Sequence, residues 1–127
     1  MTIKVTRDES KDITIHVVIG SVSEEEMYDV LDDFYTRGPT KHLLWDMSQA
    51  KVGEVASGAL KDFVHRSAKL GVQRKGGRTA IIAPQDIQFG LGRMAEVFAE
   101  ISSAPFKVRA FRARQQALEW LMSDCTS

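Results

Sequence analysis

Apolar and polar residues alternate near the start of the chain with the period of a strand. Ile3 and Val5 are two apart, and Ile13, Ile15, Val17 and Ile19 keep that period after the polar turn Asp8-Glu9-Ser10-Lys11. So short a turn predicts a hairpin, with Gly20 at its end. The period then lengthens to that of a helix: Met27, Val30, Leu31 and Phe34 share one face. Ser23 and Glu26 stand in the positions of a capping box, and Val22 and Met27 in those of a hydrophobic staple. Gly38-Pro39 stops this helix. The run His42-Leu43-Leu44-Trp45-Asp46-Met47 is short, largely apolar and bounded by turn residues, which suits a buried central strand. A second helix is expected over about 54–70, with Ala56, Ala59, Leu60, Phe63 and Leu70 inward and Gly71 as its left-handed C′ residue.

Gly76-Gly77 opens a strand over 79–83, and Pro84 closes it. Residues 85–102 predict a third helix whose inward face is Ile87, Leu91, Met94, Ala95, Phe98 and Ile101. Phe106 to Phe111 alternate as a strand, and a last helix over about 113–122 turns Ala117, Trp120 and Leu121 inward. The order is ββαβαβαβα. It predicts an α/β fold with a mixed, mostly parallel sheet of about five strands and four helices, the hairpin supplying the antiparallel strand. There is no repeat or linker, so residues 1–127 are expected to form one domain.

Composition narrows the class. The chain has 127 residues, 43% apolar and 27% charged, which is a globular balance rather than a disordered one. Seventeen Lys/Arg offset seventeen Asp/Glu, so no net field favours nucleic acid. The balance hides a split. Residues 1–50 hold 5 basic and 10 acidic side chains, whereas 51–127 hold 12 and 7. The basic run Lys61, Arg66, Lys69, Arg74, Lys75, Arg78 reads as a solvated face, with an acidic partner or anionic membrane as the sharper alternative. The single cysteine, Cys125, has no intrachain partner, the first residues lack a signal-peptide run, and no stretch approaches the ~20 apolar residues of a membrane span. A cytoplasmic location is expected.

The strand Leu43-Leu44-Trp45-Asp46-Met47-Ser48, the run Gly77-Arg78-Thr79-Ala80-Ile81-Ile82-Ala83, and Phe106-Lys107-Val108-Arg109-Ala110-Phe111 before Ala117-Leu118-Glu119-Trp120-Leu121 point to one family. Over nearly its whole length the chain resembles the SpoIIAA-like group of the STAS superfamily, often described as STAS/SEC14-like. The match speaks to fold more than to activity, because it contains no catalytic signature.

Two roles follow from the resemblance. The SEC14-like, or CRAL-TRIO-like, side implies a domain that binds a lipid or small apolar ligand, or contacts a membrane surface. The STAS side implies a regulatory protein partner, as in the anti-sigma-factor antagonists, where a serine at the start of the helix after the central strand is phosphorylated. Aligned without a gap that position falls on Ala56, and with one inserted residue on Ser57. The pattern Val55-Ala56-Ser57-Gly58 keeps only the end of the family's string, so the phosphoacceptor site is degenerate. A phosphate there would be held by free helix amides and would add roughly −1.5 to −2 charges.

The third helix supplies the ligand candidates. With Ile87 at zero on a wheel of ~100° per residue, Phe89 falls at about 200°, opposite the expected apolar face. Gly90 and Gly92 flank Leu91, and each glycine costs a helix roughly 1 kcal/mol relative to alanine. One reading is a hinge at Gly90 and Gly92 that lets Phe89 and Leu91 cover an apolar pocket. The other is close packing through the glycines, with Phe89 in a homodimer contact. Asp46, at the carboxyl end of the central strand, stands where ligands gather in open α/β sheets, or else caps the loop over 48–53.

Catalysis and metal binding are not expected. His16, His42 and His65 lie on three elements without ligand spacing, no nucleophile elbow exists, and Gly76-Gly77-Arg78 precedes a strand rather than a helix. No cofactor is implied.

Overall fold

The computed structural model describes residues 2–52 and 57–123. Strands β1 (Thr2–Asp8) and β2 (Ile13–Gly20) form the hairpin, followed by α1 (Glu24–Thr36), β3 (His42–Ala50), α2 (Ser57–Leu70), a 3₁₀ turn (Gly71–Arg74), β4 (Arg78–Ile82), α3 (Asp86–Ile101), β5 (Lys107–Phe111) and α4 (Arg114–Met122). The strands lie in the order β1-β2-β3-β4-β5, antiparallel at β1–β2 and parallel elsewhere. The ββαβαβαβα reading and its single antiparallel pair are what the chain adopts.

Local chemistry explains the first elements. Asp8 Oδ1 accepts from the Ser10 amide and hydroxyl at 3.1 and 2.6 Å, and Asp12 sits at φ 54°, so the hairpin turns on short polar side chains. The α1 capping box is reciprocal: the Glu26 amide donates to Ser23 Oγ, and the Ser23 amide to Glu26 Oε1, each at 3.1 Å. Val22 and Met27 both pack on the cluster of Val18, Phe34, Leu43, Trp45 and Ala50, as a staple requires.

Because each crossover moves one strand along in the same direction, α1, α2 and α3 share one face of the sheet, and among the described residues α4 alone covers the other. Thr14, His16 and Val18 of β2 point to the three-helix face. Ile13 points to the α4 side, where it meets Leu44, Ala80, Ile82, Ala117 and Leu121. The isoleucine set of β2 is therefore not its more buried side. Thr14, His16 and Val18 are all deeply buried, whereas Ile15, Val17 and Ile19 are only half-buried, because α4 does not reach far enough to cover them.

Several faces differ from the pattern. In α3 the buried positions are Gln88, Gly92, Ala95 and Ala99, while Ile87 and Ile101 are 59% and 66% exposed. Small residues let α3 approach the sheet, and this rotates its larger apolar side chains toward α2 and solvent. In α2, Leu70 is exposed and Val64 and Ala68 carry the burial; Ala56 lies outside the described residues. Gly71 does not take a left-handed conformation. It opens the 3₁₀ turn, and a Cβ there would collide with the Phe106 ring, so close approach is what requires glycine.

Candidate functional site

Between the sheet and the α1–α3 layer lies a cavity of about 580 Å³. Its walls come from alternate residues of the strands: Leu43, Trp45 and Met47 of β3, Thr79 and Ile81 of β4, Val108 of β5. Leu60, Phe63 and Val64 roof it from α2, and Leu91, Gly92 and Ala95 close the α3 side. It runs along the strands. Gly20, Ser21, Lys51, Val52 and Gln88 line it at their carboxyl ends, and Tyr35, Arg74, Thr79 and Phe106 at their amino ends.

The carboxyl end is fixed by Gln88. Its Nε2 donates to the carbonyls of Met47 and Ala50 at 2.8 and 3.1 Å, while its Oε1 accepts from the Gln85 amide at 3.2 Å. One amide thereby caps α3 and ties it to the last turns of β3.

The amino end is polar in an unusual way. Arg74, 1% exposed, donates from Nε to the Lys41 carbonyl at 3.1 Å and from Nη1 to the Tyr35 hydroxyl at 3.1 Å. Its Nη2 donates to the Arg78 carbonyl at 3.1 Å and to Thr79 Oγ1 at 2.8 Å. The guanidinium lies 4.4 Å from the Phe106 ring centre and 5.7 Å from that of Phe34. Neutral oxygens and two aromatic faces surround it, and among the described residues it forms no ion pair. Burial pushes the guanidinium below its ordinary range, and the Tyr35 hydroxyl opposes part of that shift.

His16 lies nearby, its ring 4.4 Å from that of Trp45 and 5.7 Å from that of Phe34. Its Nδ1 is buried without a hydrogen-bond partner among the described residues. Burial, with the Arg74 charge acting in the same direction, lowers its pKa to about 4. A second hollow, under α1, takes in His16 with Asp29, Asp33 and Arg37.

The residues singled out in the sequence are scattered. Leu91 and Gly92 line the cavity, but Phe89 does not. Phe89 is half-buried rather than outward, with the Arg112 guanidinium 4.4 Å from its ring centre. Arg112 also donates to the Asp86 carboxylate at 2.8 Å and the Pro84 carbonyl at 3.2 Å, which holds it over the ring. A Cβ on Gly92 would come within 2.8 Å of Ala110 Cβ, whereas one on Gly90 would meet nothing. Asp46 faces α4, away from the cavity: its Oδ1 accepts from the Ser48 amide and hydroxyl at 2.9 and 2.6 Å, and its Oδ2 accepts from Arg114 at 3.1 Å. Ser57 begins the described part of α2, and its side chain lies outside the described residues, as does Cys125.

Sequence reasoning missed Arg74, Tyr35, His16 and Gln88. Arg74 and Arg78 belong to the basic run whose pattern suggests a solvated face, yet both are buried. Arg78 caps the end of α4, donating to the Trp120 carbonyl and to Ser123. No local pattern in the sequence marks either arginine as buried. Among the described residues no three His, Cys, Asp or Glu side chains converge as a metal site, and no helix is long and apolar enough to cross a membrane.

No family model matches the chain, and no curated protein does. Among solved structures it is similar to an uncharacterised protein of the DUF3478 family from Shewanella loihica PV-4, described as having a SpoIIAA-like fold. The TM-score is 0.61 at 21% identity, over 94% of this chain and 92% of that one. The chain has a SpoIIAA-like fold, as its resemblance implied.

Proposed function

We propose that this protein is a non-enzymatic binding domain that takes up a small apolar or lipid-like molecule between its sheet and the α1–α3 layer. The cavity carries the reading. Its volume of about 580 Å³ suits a small-molecule site, and its wall is built from Leu, Ile, Val, Met and aromatic side chains. The hollow is half open to solvent, so a ligand can reach its apolar wall. The polar groups on the wall are either bonded, as Ser67 Oγ is to the Phe63 carbonyl, or gathered at the two ends.

The test is fluorescence of Nile red, an uncharged apolar dye, titrated with the protein. Wild type is expected to bind it with a blue-shifted, saturable signal. Ala59→Trp, which puts bulk into the cavity from α2, is expected to lose most of that signal while keeping the same circular dichroism. Equal signals from the two proteins would overturn the reading.

A second reading is a homodimer or a regulatory protein contact. The exposed Ile87, Val97 and Ile101 on α3 favour it, since apolar side chains gathered on one helix mark association faces. Sedimentation of wild type beside Ile101→Lys tests it. A monomer in both at micromolar concentration removes the dimer.

A further inference from the structure

We propose that the ligand of this cavity is an amphiphile with a carboxylate head, seated on Arg74, Tyr35 and Thr79 at the amino ends of the strands. This rests on the reading of the cavity as a binding site and names what the site recognises.

A guanidinium has five N–H groups, and four of those on Arg74 are used, one by Nε, one by Nη1 and two by Nη2. The second N–H on Nη1 meets no acceptor among the described residues. Tyr35 and Thr79 each accept from Arg74 through their hydroxyl oxygens, so their own protons are left to donate elsewhere. Among the described residues neither hydroxyl donates to an acceptor of its own. All three side chains line the cavity. Three donors with no assigned acceptor thus meet at one end of an apolar chamber.

The charge points the same way. A buried cation is costly unless an opposite charge or hydrogen bonds compensate it. Arg74 has hydrogen bonds and aromatic faces but, among the described residues, no ion pair, and Asp12 acts on its charge only from a distance. Among the described residues, the charged ones on the cavity wall other than Arg74 are Glu24 and Lys51, both toward the carboxyl ends of the strands. One buried positive charge therefore faces a cavity end with no carboxylate on its wall among the described residues. A single negative head neutralises it. Two carboxylate oxygens carry lone pairs enough to accept the three free donors, the one from the guanidinium being a charge-assisted hydrogen bond. A phosphate monoester would bring close to two charges and a third terminal oxygen to a place with one cation. The apolar walls leading away from this end then take the tail.

The experiment displaces Nile red from the intact protein with dodecanoate, dodecanol and dodecyl phosphate, each below its micellar concentration. Wild type is expected to bind dodecanoate roughly tenfold to a hundredfold more tightly than dodecanol, the range that charge-assisted hydrogen bonds supply. Arg74→Met should bind the two equally. Tyr35→Phe, which keeps the ring and removes one donor, should narrow the gap without altering the fold, so the inference survives a misfolded Arg74 variant. Equal affinities of wild type for dodecanoate and dodecanol would overturn the carboxylate head and leave the apolar cavity standing. Tighter binding of dodecyl phosphate than dodecanoate would also overturn it, in favour of a phosphorylated head. If no amphiphile displaces the dye, or the dye does not bind, both the head assignment and the cavity reading fall.

Discussion

Gly92 of α3 faces Ala110 of β5 so closely that a Cβ on the glycine would lie 2.8 Å from the Ala110 Cβ. Gly90, two residues earlier, faces open space. The two glycines therefore answer differently to the same substitution. Gly90→Ala is expected to stabilise the protein by up to about 1 kcal/mol, the helix-propensity difference between the two residues. Gly92→Ala is expected to destabilise it, because overpacking of about 1–3 kcal/mol outweighs the same gain. Urea unfolding of both variants measures this. A stabilised Gly92→Ala would mean that α3 has room to move away from β5.

His16 gives stability a particular dependence on pH. Its pKa is lowered to about 4 in the folded chain by burial and by Arg74, against a usual value near 6.5. Between those values the unfolded chain binds a proton that the folded chain refuses. Its contribution is thus complete above about pH 6.5 and is lost as the pH falls toward 4, by about 3 kcal/mol at 1.36 kcal/mol per unit. His42, which accepts from the Arg78 amide, is also lowered by burial and acts in the same direction. His16→Phe fits the aromatic surroundings and should flatten the profile between pH 6.5 and 4 relative to wild type. Parallel profiles in denaturant titrations would show that His16 takes up its proton without penalty.

Asp46 serves the fold from the far side of the sheet. Asp46→Ala removes the acceptor of the Ser48 amide and the partner of Arg114, and should cost about 1–2 kcal/mol. Nile red binding should be unchanged within twofold, since the carboxylate and the cavity are on opposite faces. A large loss of dye binding at unchanged stability would place Asp46 in the site after all.

The elements were legible because local signals agreed with one another. The capping box at Ser23 and Glu26, the hairpin turn and the βα alternation each depend on neighbours in sequence. Faces were less legible. Ile87 and Ile101 carry the strongest apolar signal in α3, yet they lie exposed, because Gly92, Ala95 and Ala99 are what the sheet can accept at close range. The cavity end was not legible at all. Arg74, Tyr35, Thr79 and Phe106 come from four separate elements or their connections, and only the fold brings them together. A buried arginine looks the same in sequence as a solvated one.

The strand order also bears on how the molecule is made. Every strand pairs with the one synthesised just before it, so each arriving βα unit finds its edge already waiting. No segment need be held open for a distant partner, which lowers the exposure of unpaired edges during synthesis. Phe106 enters only with the last such unit, and it is the ring against which Arg74 lies. The chamber under α2 is thus outlined early and its amino end completed last, when all but the final strand and helix of the chain are already in place.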